Sequence, residues 1–117
     1  MLYQECTLGW YESNAHRTAS KDGEDLPPLW YLALGLNGEA GEVADLVKKV
    51  ERHGHAYDGA AVIDELGDVL WYVTIMAAAV GSSLGEVAVA NVNKLARRYP
   101  EGFRERGRDG LTDPSEP

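Results

Sequence analysis

Residues 34–49, LGLNGEAGEVADLVKK, decide how this chain folds. Around them Leu29, Leu32, Leu36, Val43, Leu46 and Val50 recur at steps of three and four, the mark of one buried face on a long helix. The same rhythm asks for an apolar side chain at position 39, one heptad after Leu32 and one before Leu46. The chain places Glu39 there, with Glu42 three residues on. A carboxylate stands where a leucine belongs.

On either side of this helix, which spans about residues 28–52, the chain reads as three more. A first, irregular one covers roughly 3–19, and KDGEDLPP then breaks the chain, with Pro27 and Pro28 suited to the entry of the second. HGHAYDG forms a turn punctuated by Gly54 and Gly59. Asp58 is placed to cap a third helix over about 59–80 that stops at Gly81. Ser82 or Ser83 can cap the fourth, with Glu86 in capping-box position, and that helix ends before Pro100. No segment alternates as a strand does, so the expected fold class is all-α, a four-helix bundle. One helical domain over 1–103 and a polar, flexible tail over 104–117 are expected. From Val69 to Val80 the third helix is apolar nearly all round apart from Thr74, which predicts packing on several sides and a bundle completed by oligomerisation.

Composition sets the class. In 117 residues, 44 % hydrophobic, there is material for one modest core. Nineteen acids against 11 bases give a formal charge of −8. That argues against duplex nucleic acid, whose affinity comes largely from Lys and Arg on phosphates. It suits a protein that handles cations, or small anions through a cation. Cys6, the single cysteine, has no internal disulfide partner, so a reducing cytoplasm is expected. The start MLYQECTLGW lacks a signal-like basic region and apolar core, and the longest apolar run falls short of the ~20 residues of a membrane span.

The third helix opens IDELGDVLWY. Ile63, Leu66, Leu70, Val73 and Ala77 make one apolar stripe; Glu65 lies a heptad before Tyr72 and Asp68 a heptad before Ile75. Glu39 with Glu42, and Glu65 with Asp68, each share a helix face at i and i+3. The short turn makes the two helices antiparallel neighbours. At about 1.5 Å per residue the first pair lies about 17 Å from the turn and the second about 11 Å, a mismatch that stagger and glutamate length can absorb. Four carboxylates in a partly buried groove repel one another and lose hydration unless something compensates. Lys48 and Lys49, about two turns away along the helix, are poorly placed to do so. A hard dication held by oxygen ligands is the better answer. Di-iron bundles need Glu-x-x-His pairs, and neither pair here has a histidine at i+3, so the set favours Mg²⁺, with Mn²⁺ as the alternative. Taken singly, an E-x-x-E pair more often decorates a solvated helix face; two pairs on the apolar stripes of adjacent helices are a stronger signal.

In the fourth helix, VAVANVNKLARRYPEGF, Leu84, Val87 and Leu95 mark the buried stripe and Asn91 falls on it. Asn91, Lys94 and Arg98 follow at i, i+3 and i+7, an amide and two cations suited to a phosphate chain. A basic last turn also complements the helix dipole, which accounts for Arg97 and Arg98 but not for Asn91. No P-loop is present, and no cysteine or serine nucleophile stands in convincing company. Cys6 reads as a small packing residue of the first helix, His53 and His55 as exposed turn residues, and Trp10, Trp30 and Trp71 as mainly core.

GEAGEVADLVKK, DELGDVLWYV and NVNKLARRYPEGF, in that order, resemble the MazG-like branch of the all-α nucleoside triphosphate pyrophosphohydrolases, over about residues 3–103. The resemblance implies E-x-x-E and E-x-x-D motifs that bind Mg²⁺ through Glu39, Glu42, Glu65 and Asp68. It implies metal-activated water attack at the α-phosphate of a nucleoside triphosphate, releasing the monophosphate and pyrophosphate. Asn91, Lys94 and Arg98 would hold the phosphates, Tyr72 would line the nucleoside pocket, and AHRTA suggests the same for His16 and Arg17. It further implies a homodimer or homotetramer. Some members carry a doubled glutamate, E-E-x-x-E, whereas here Gly38 precedes Glu39, one carboxylate fewer. Two other classes compete: a catalytically silent helical module that binds nucleotides or a protein, and a metal-storage or oxidase bundle, which the missing histidines disfavour.

Overall fold

The computed structural model describes residues 5–21, 24–54 and 58–102, the side chain of His53 excepted. Among these residues there are four helices and no strand: α1, Leu8–His16; α2, Leu29–His53; α3, Gly59–Ala79; and α4, Leu84–Arg98. The chain is all-α. It divides into two compact units, Met1–Leu84 and Gly85–Pro117, each described by itself below. The expected tail at 104–117 and the His55 position lie outside the described residues. Among the described residues no single helix is long and apolar enough to cross a membrane.

The helix ends follow local chemistry. Pro28, extended at φ −64° and ψ 150°, leads into α2, which stops at Gly54 in the left-handed conformation (φ 64°) with its N–H on the Val50 carbonyl. The Asp58 carboxylate accepts the Ala61 N–H at 3.2 Å and starts α3. That helix closes in a Schellman arrangement, Ser82 N–H on Ala77 O at 2.8 Å and Gly81 N–H on Ala78 O at 3.0 Å, with Gly81 at φ 79°. The first helix is shorter than its expected span. The Thr7 hydroxyl accepts the Trp10 N–H at 3.0 Å, and a side chain that caps there holds the chain before it in a non-helical course. Cys6 therefore precedes α1 and is exposed rather than packed within it.

In the first unit α2 and α3 lie against each other, and α1 packs on α3. Leu32 and Ile75, both 0 % exposed, form the centre with Ala15 and Ala19; Tyr11, Leu26, Trp71, Tyr72 and Met76 pack around them. Thr74 is equally buried and donates its hydroxyl to the Leu70 carbonyl at 2.7 Å, so it carries no unmet polar group inward. A short relay ties α1 to α3: the Trp71 indole N–H donates to Thr18 Oγ1 at 2.7 Å, and that hydroxyl donates to the Ala15 carbonyl at 3.0 Å. Glu12 reinforces it by accepting the Leu84 N–H at 2.8 Å.

Burial corrects three expectations. The face of α3 turned inward is the one carrying Val62, Glu65, Val69, Tyr72 and Met76, all half-buried. The stripe Ile63, Leu66, Leu70, Val73 and Ala77 is buried only towards its C-terminal end, and Ile63 is 71 % exposed. A helix apolar on most of its circumference offers two adjacent stripes, and period alone does not say which meets the neighbour. On α4, which belongs to the second unit beyond its first residue, Leu84 is buried among the described residues, while Val87, Asn91 and Leu95 are exposed. Of the three tryptophans, Trp71 packs against the core, whereas Trp10 and Trp30 are exposed, on the faces of α1 and α2 away from Tyr11 and Leu32.

Candidate metal centre

The inner face of α2 runs Leu32, Leu36, Glu39, Val43, Leu46 and Val50, so Glu39 is carried into the groove by its apolar neighbours. On α3 the same geometry brings in Glu65, with Asp68 one turn further on. One carboxylate oxygen from each of Glu39, Glu65 and Asp68 lies within 4.8 Å of the other two. Glu39 and Glu65 are half-buried and Asp68 is exposed, so the nest is open to solvent on the Asp68 side. Glu42 is exposed and stands outside the trio, one turn along α2.

The electrostatics of the nest are one-sided. Partial burial, and then the charges of Asp68, Glu39, Glu42 and Asp64, raise the Glu65 carboxyl above its ordinary 4.5; every one of these influences pushes the same way. Lys49, further along α2, is paired with Asp45 at 2.8 Å. The charge reaches two phenols. Burial, then Tyr31, Glu39 and Asp68, raise Tyr72; burial, then Asp68 and Cys6, raise Tyr11. Three anionic oxygen donors converging without a cation among them are what a hard divalent ion takes as ligands. The absence of histidine or cysteine from the trio fits Mg²⁺ or Mn²⁺ better than zinc.

Tyr72, one turn past Asp68, lies close enough to the nest to feel the charges of Glu39 and Asp68. His16 and Arg17 stand differently. His16 is half-buried at the end of α1 and Arg17 is exposed as its C-cap. The α1 residue that feels Asp68 is Tyr11, about 140° around the helix from His16. Sequence reasoning missed Tyr11, although its spacing of four from Ala15 placed it on the packing face. In the second unit Asn91 and Lys94 are exposed, and Arg98 is half-buried with a Nε that has no hydrogen-bond partner among the described residues. These three side chains share a face of α4 by spacing.

Residues 31–103 match the family described as the MazG nucleotide pyrophosphohydrolase domain. The gene 37 protein of Mycobacterium phage L5 is 39 % identical over 88 residues, a match covering 69 % of this chain and 75 % of that protein. No solved structure matches the chain. The matched family segment contains Glu39, Glu42, Glu65, Asp68, Tyr72, Asn91, Lys94 and Arg98; Tyr11, His16 and Arg17 precede it.

Proposed function

This chain belongs to the MazG nucleotide pyrophosphohydrolase family, and we propose that it is a Mg²⁺-dependent nucleoside triphosphate pyrophosphohydrolase of the cytoplasmic nucleotide pool. The observation that carries this reading is the convergence of Glu39, Glu65 and Asp68 within 4.8 Å, where the charged neighbours acting on Glu65 among the described residues are all negative. A divalent ion held there would neutralise phosphate charge and supply a nucleophile at neutral pH.

The chain's own groups divide the remaining work. Glu39, Glu65 and Asp68 would hold the ion, and Glu42, exposed one turn along α2, would serve as a further ligand. Asn91, Lys94 and Arg98 would bind the phosphate chain, Arg98 through a guanidinium whose Nε has no hydrogen-bond partner among the described residues. Water forms a bond to the α-phosphorus, the bond from that phosphorus to the α–β bridging oxygen breaks, and pyrophosphate departs with that oxygen. The proton lost by the water passes to a carboxylate oxygen of the nest that the ion does not occupy.

The same reading includes a homodimer or homotetramer. Ile63, Leu66 and Leu70 form an apolar stripe that is exposed in the single chain, and a partner surface would remove it from water. Light scattering on the purified protein measures this, and a monomer at micromolar concentration would contradict it.

The test of the activity is a panel of canonical and modified nucleoside triphosphates, with Mg²⁺ and with EDTA, scored for monophosphate and pyrophosphate. Turnover that requires Mg²⁺ and is lost in Glu39→Gln and Asp68→Asn supports the reading. A folded protein that turns over no nucleotide would favour the silent binding module instead.

A further inference from the structure

Helix α2 has glycines at 35, 38 and 41, although glycine is the poorest helix former after proline. At Gly38 and Gly41 an added Cβ would meet nothing within 4 Å. At Gly35 it would collide with the ring of Tyr72, whose phenolic oxygen lies 2.8 Å from the Cβ position and whose Cε1 and Cζ lie closer still. Gly35 sits one turn before Glu39, and Tyr72 one turn after Asp68. The helices are antiparallel, so the phenol borders the carboxylate nest on the side away from the α2–α3 turn. The ring is half-buried and held edge-on by Trp71, 5.0 Å between centroids at 81°. One turn before Gly35, Tyr31 is 51 % exposed. An aromatic surface therefore continues outward from the nest along α2.

We propose that Gly35 is a positioning residue for nucleotide binding: its missing side chain seats the Tyr72 phenol against α2, where the ring supports the nucleoside while the phosphates occupy the carboxylate end. An aromatic face takes a base or sugar by stacking without needing a matched set of hydrogen bonds. The inference rests on the pyrophosphohydrolase reading for the identity of the ligand. It does not depend on the chemical step.

The atoms in the way at Gly35 are the far end of one side chain, so Gly35→Ala turns Tyr72 aside and leaves α2 intact. The experiment compares equilibrium binding of a non-hydrolysable α,β-imido deoxynucleoside triphosphate and of inorganic tripolyphosphate, both with Mg²⁺. For Gly35→Ala the expected result is about tenfold weaker binding of the nucleotide analogue, within the range of one aromatic–base contact. Tripolyphosphate affinity stays unchanged. Tyr72→Ala shows the same selective loss, and adding Gly35→Ala to it costs nothing more. The proposal is overturned if Gly35→Ala weakens both ligands alike, if its effect adds to that of Tyr72→Ala, or if the unmodified protein binds the two ligands equally or binds neither. Failure of the pyrophosphohydrolase reading shows separately, as no turnover of a hydrolysable triphosphate; with the selective binding pattern intact, that result leaves the role of Gly35 standing.

Discussion

Glu39→Leu puts back the residue that the α2 stripe calls for, and it separates stability from function. Position 39 is half-buried, between fully buried Leu32 one heptad earlier and half-buried Leu46 one heptad later. Complete burial of a leucine is worth ~1.5–3 kcal/mol, so half burial contributes about 1 kcal/mol. Leucine and glutamate are close in helix propensity, and the backbone adds little to the difference. Removing one of three carboxylates whose oxygens lie within 4.8 Å acts in the same direction. For a domain of this size, about 1 kcal/mol raises the melting temperature by ~3–6 °C. In EDTA the variant should therefore melt that much higher than the unmodified protein. In MgCl₂ the order reverses. At a metal concentration about 100 times Kd the unmodified protein gains ~2.7 kcal/mol, or ~8–16 °C, while the variant gains almost nothing. Circular dichroism melts in the two buffers measure both numbers. A variant that melts lower in EDTA, or that keeps the full Mg²⁺ shift, would refute the argument that Glu39 trades packing for metal binding.

Three further outcomes follow from particular contacts. Because the Glu65 carboxyl is raised above 4.5 in the folded protein, the fold binds that proton more tightly than the unfolded chain does. The metal-free protein should then gain stability relative to Glu65→Gln as the pH falls from neutrality towards that value, while Mg²⁺ affinity falls over the same window; melts and calorimetric titrations of the pair across that range would expose the opposite trend. Gly38→Ala, where a Cβ meets nothing within 4 Å, should stabilise the protein by about 0.5–1 kcal/mol in urea denaturation, and a loss would show hidden crowding there. Thr18→Val removes the 2.7 Å acceptor of the Trp71 indole N–H at a solvent-exposed contact and should cost about 0.5–1.5 kcal/mol, read from the same titration; an unchanged midpoint would mean that the relay contributes nothing.

The parts of this molecule that could be read in advance are those that depend on local chemistry or on a single strong period. Gly54, Asp58 and Gly81 ended or began helices where their backbone and side-chain preferences required it. Glu39 stood out because its heptad neighbours Leu32 and Leu46 were unambiguous. Of the α2 pair it is Glu39, the member farther from the turn, that meets Glu65 and Asp68, so the stagger of the two helices exceeds the axial mismatch of about 6 Å between the pairs. What could not be read depends on contacts between helices. Ile63 and Leu66 face outward because α3 has two apolar stripes and only one meets α2. Gly35 carries no signal of its own: its reason is a ring thirty-seven positions away, and its neighbours Gly38 and Gly41 look the same in sequence. Tyr11 rather than His16 comes under the influence of Asp68 because a weakly amphipathic nine-residue helix gives little indication of its rotation.

The chemistry itself is decided by where solvent oxygen ends up. Hydrolysis of a nucleoside triphosphate in ¹⁸O-water with Mg²⁺, analysed by mass spectrometry, should place one heavy oxygen in the nucleoside monophosphate and none in the pyrophosphate, with no product in EDTA. Label in pyrophosphate or orthophosphate, or turnover that ignores EDTA, would contradict metal-dependent attack at the α-phosphate.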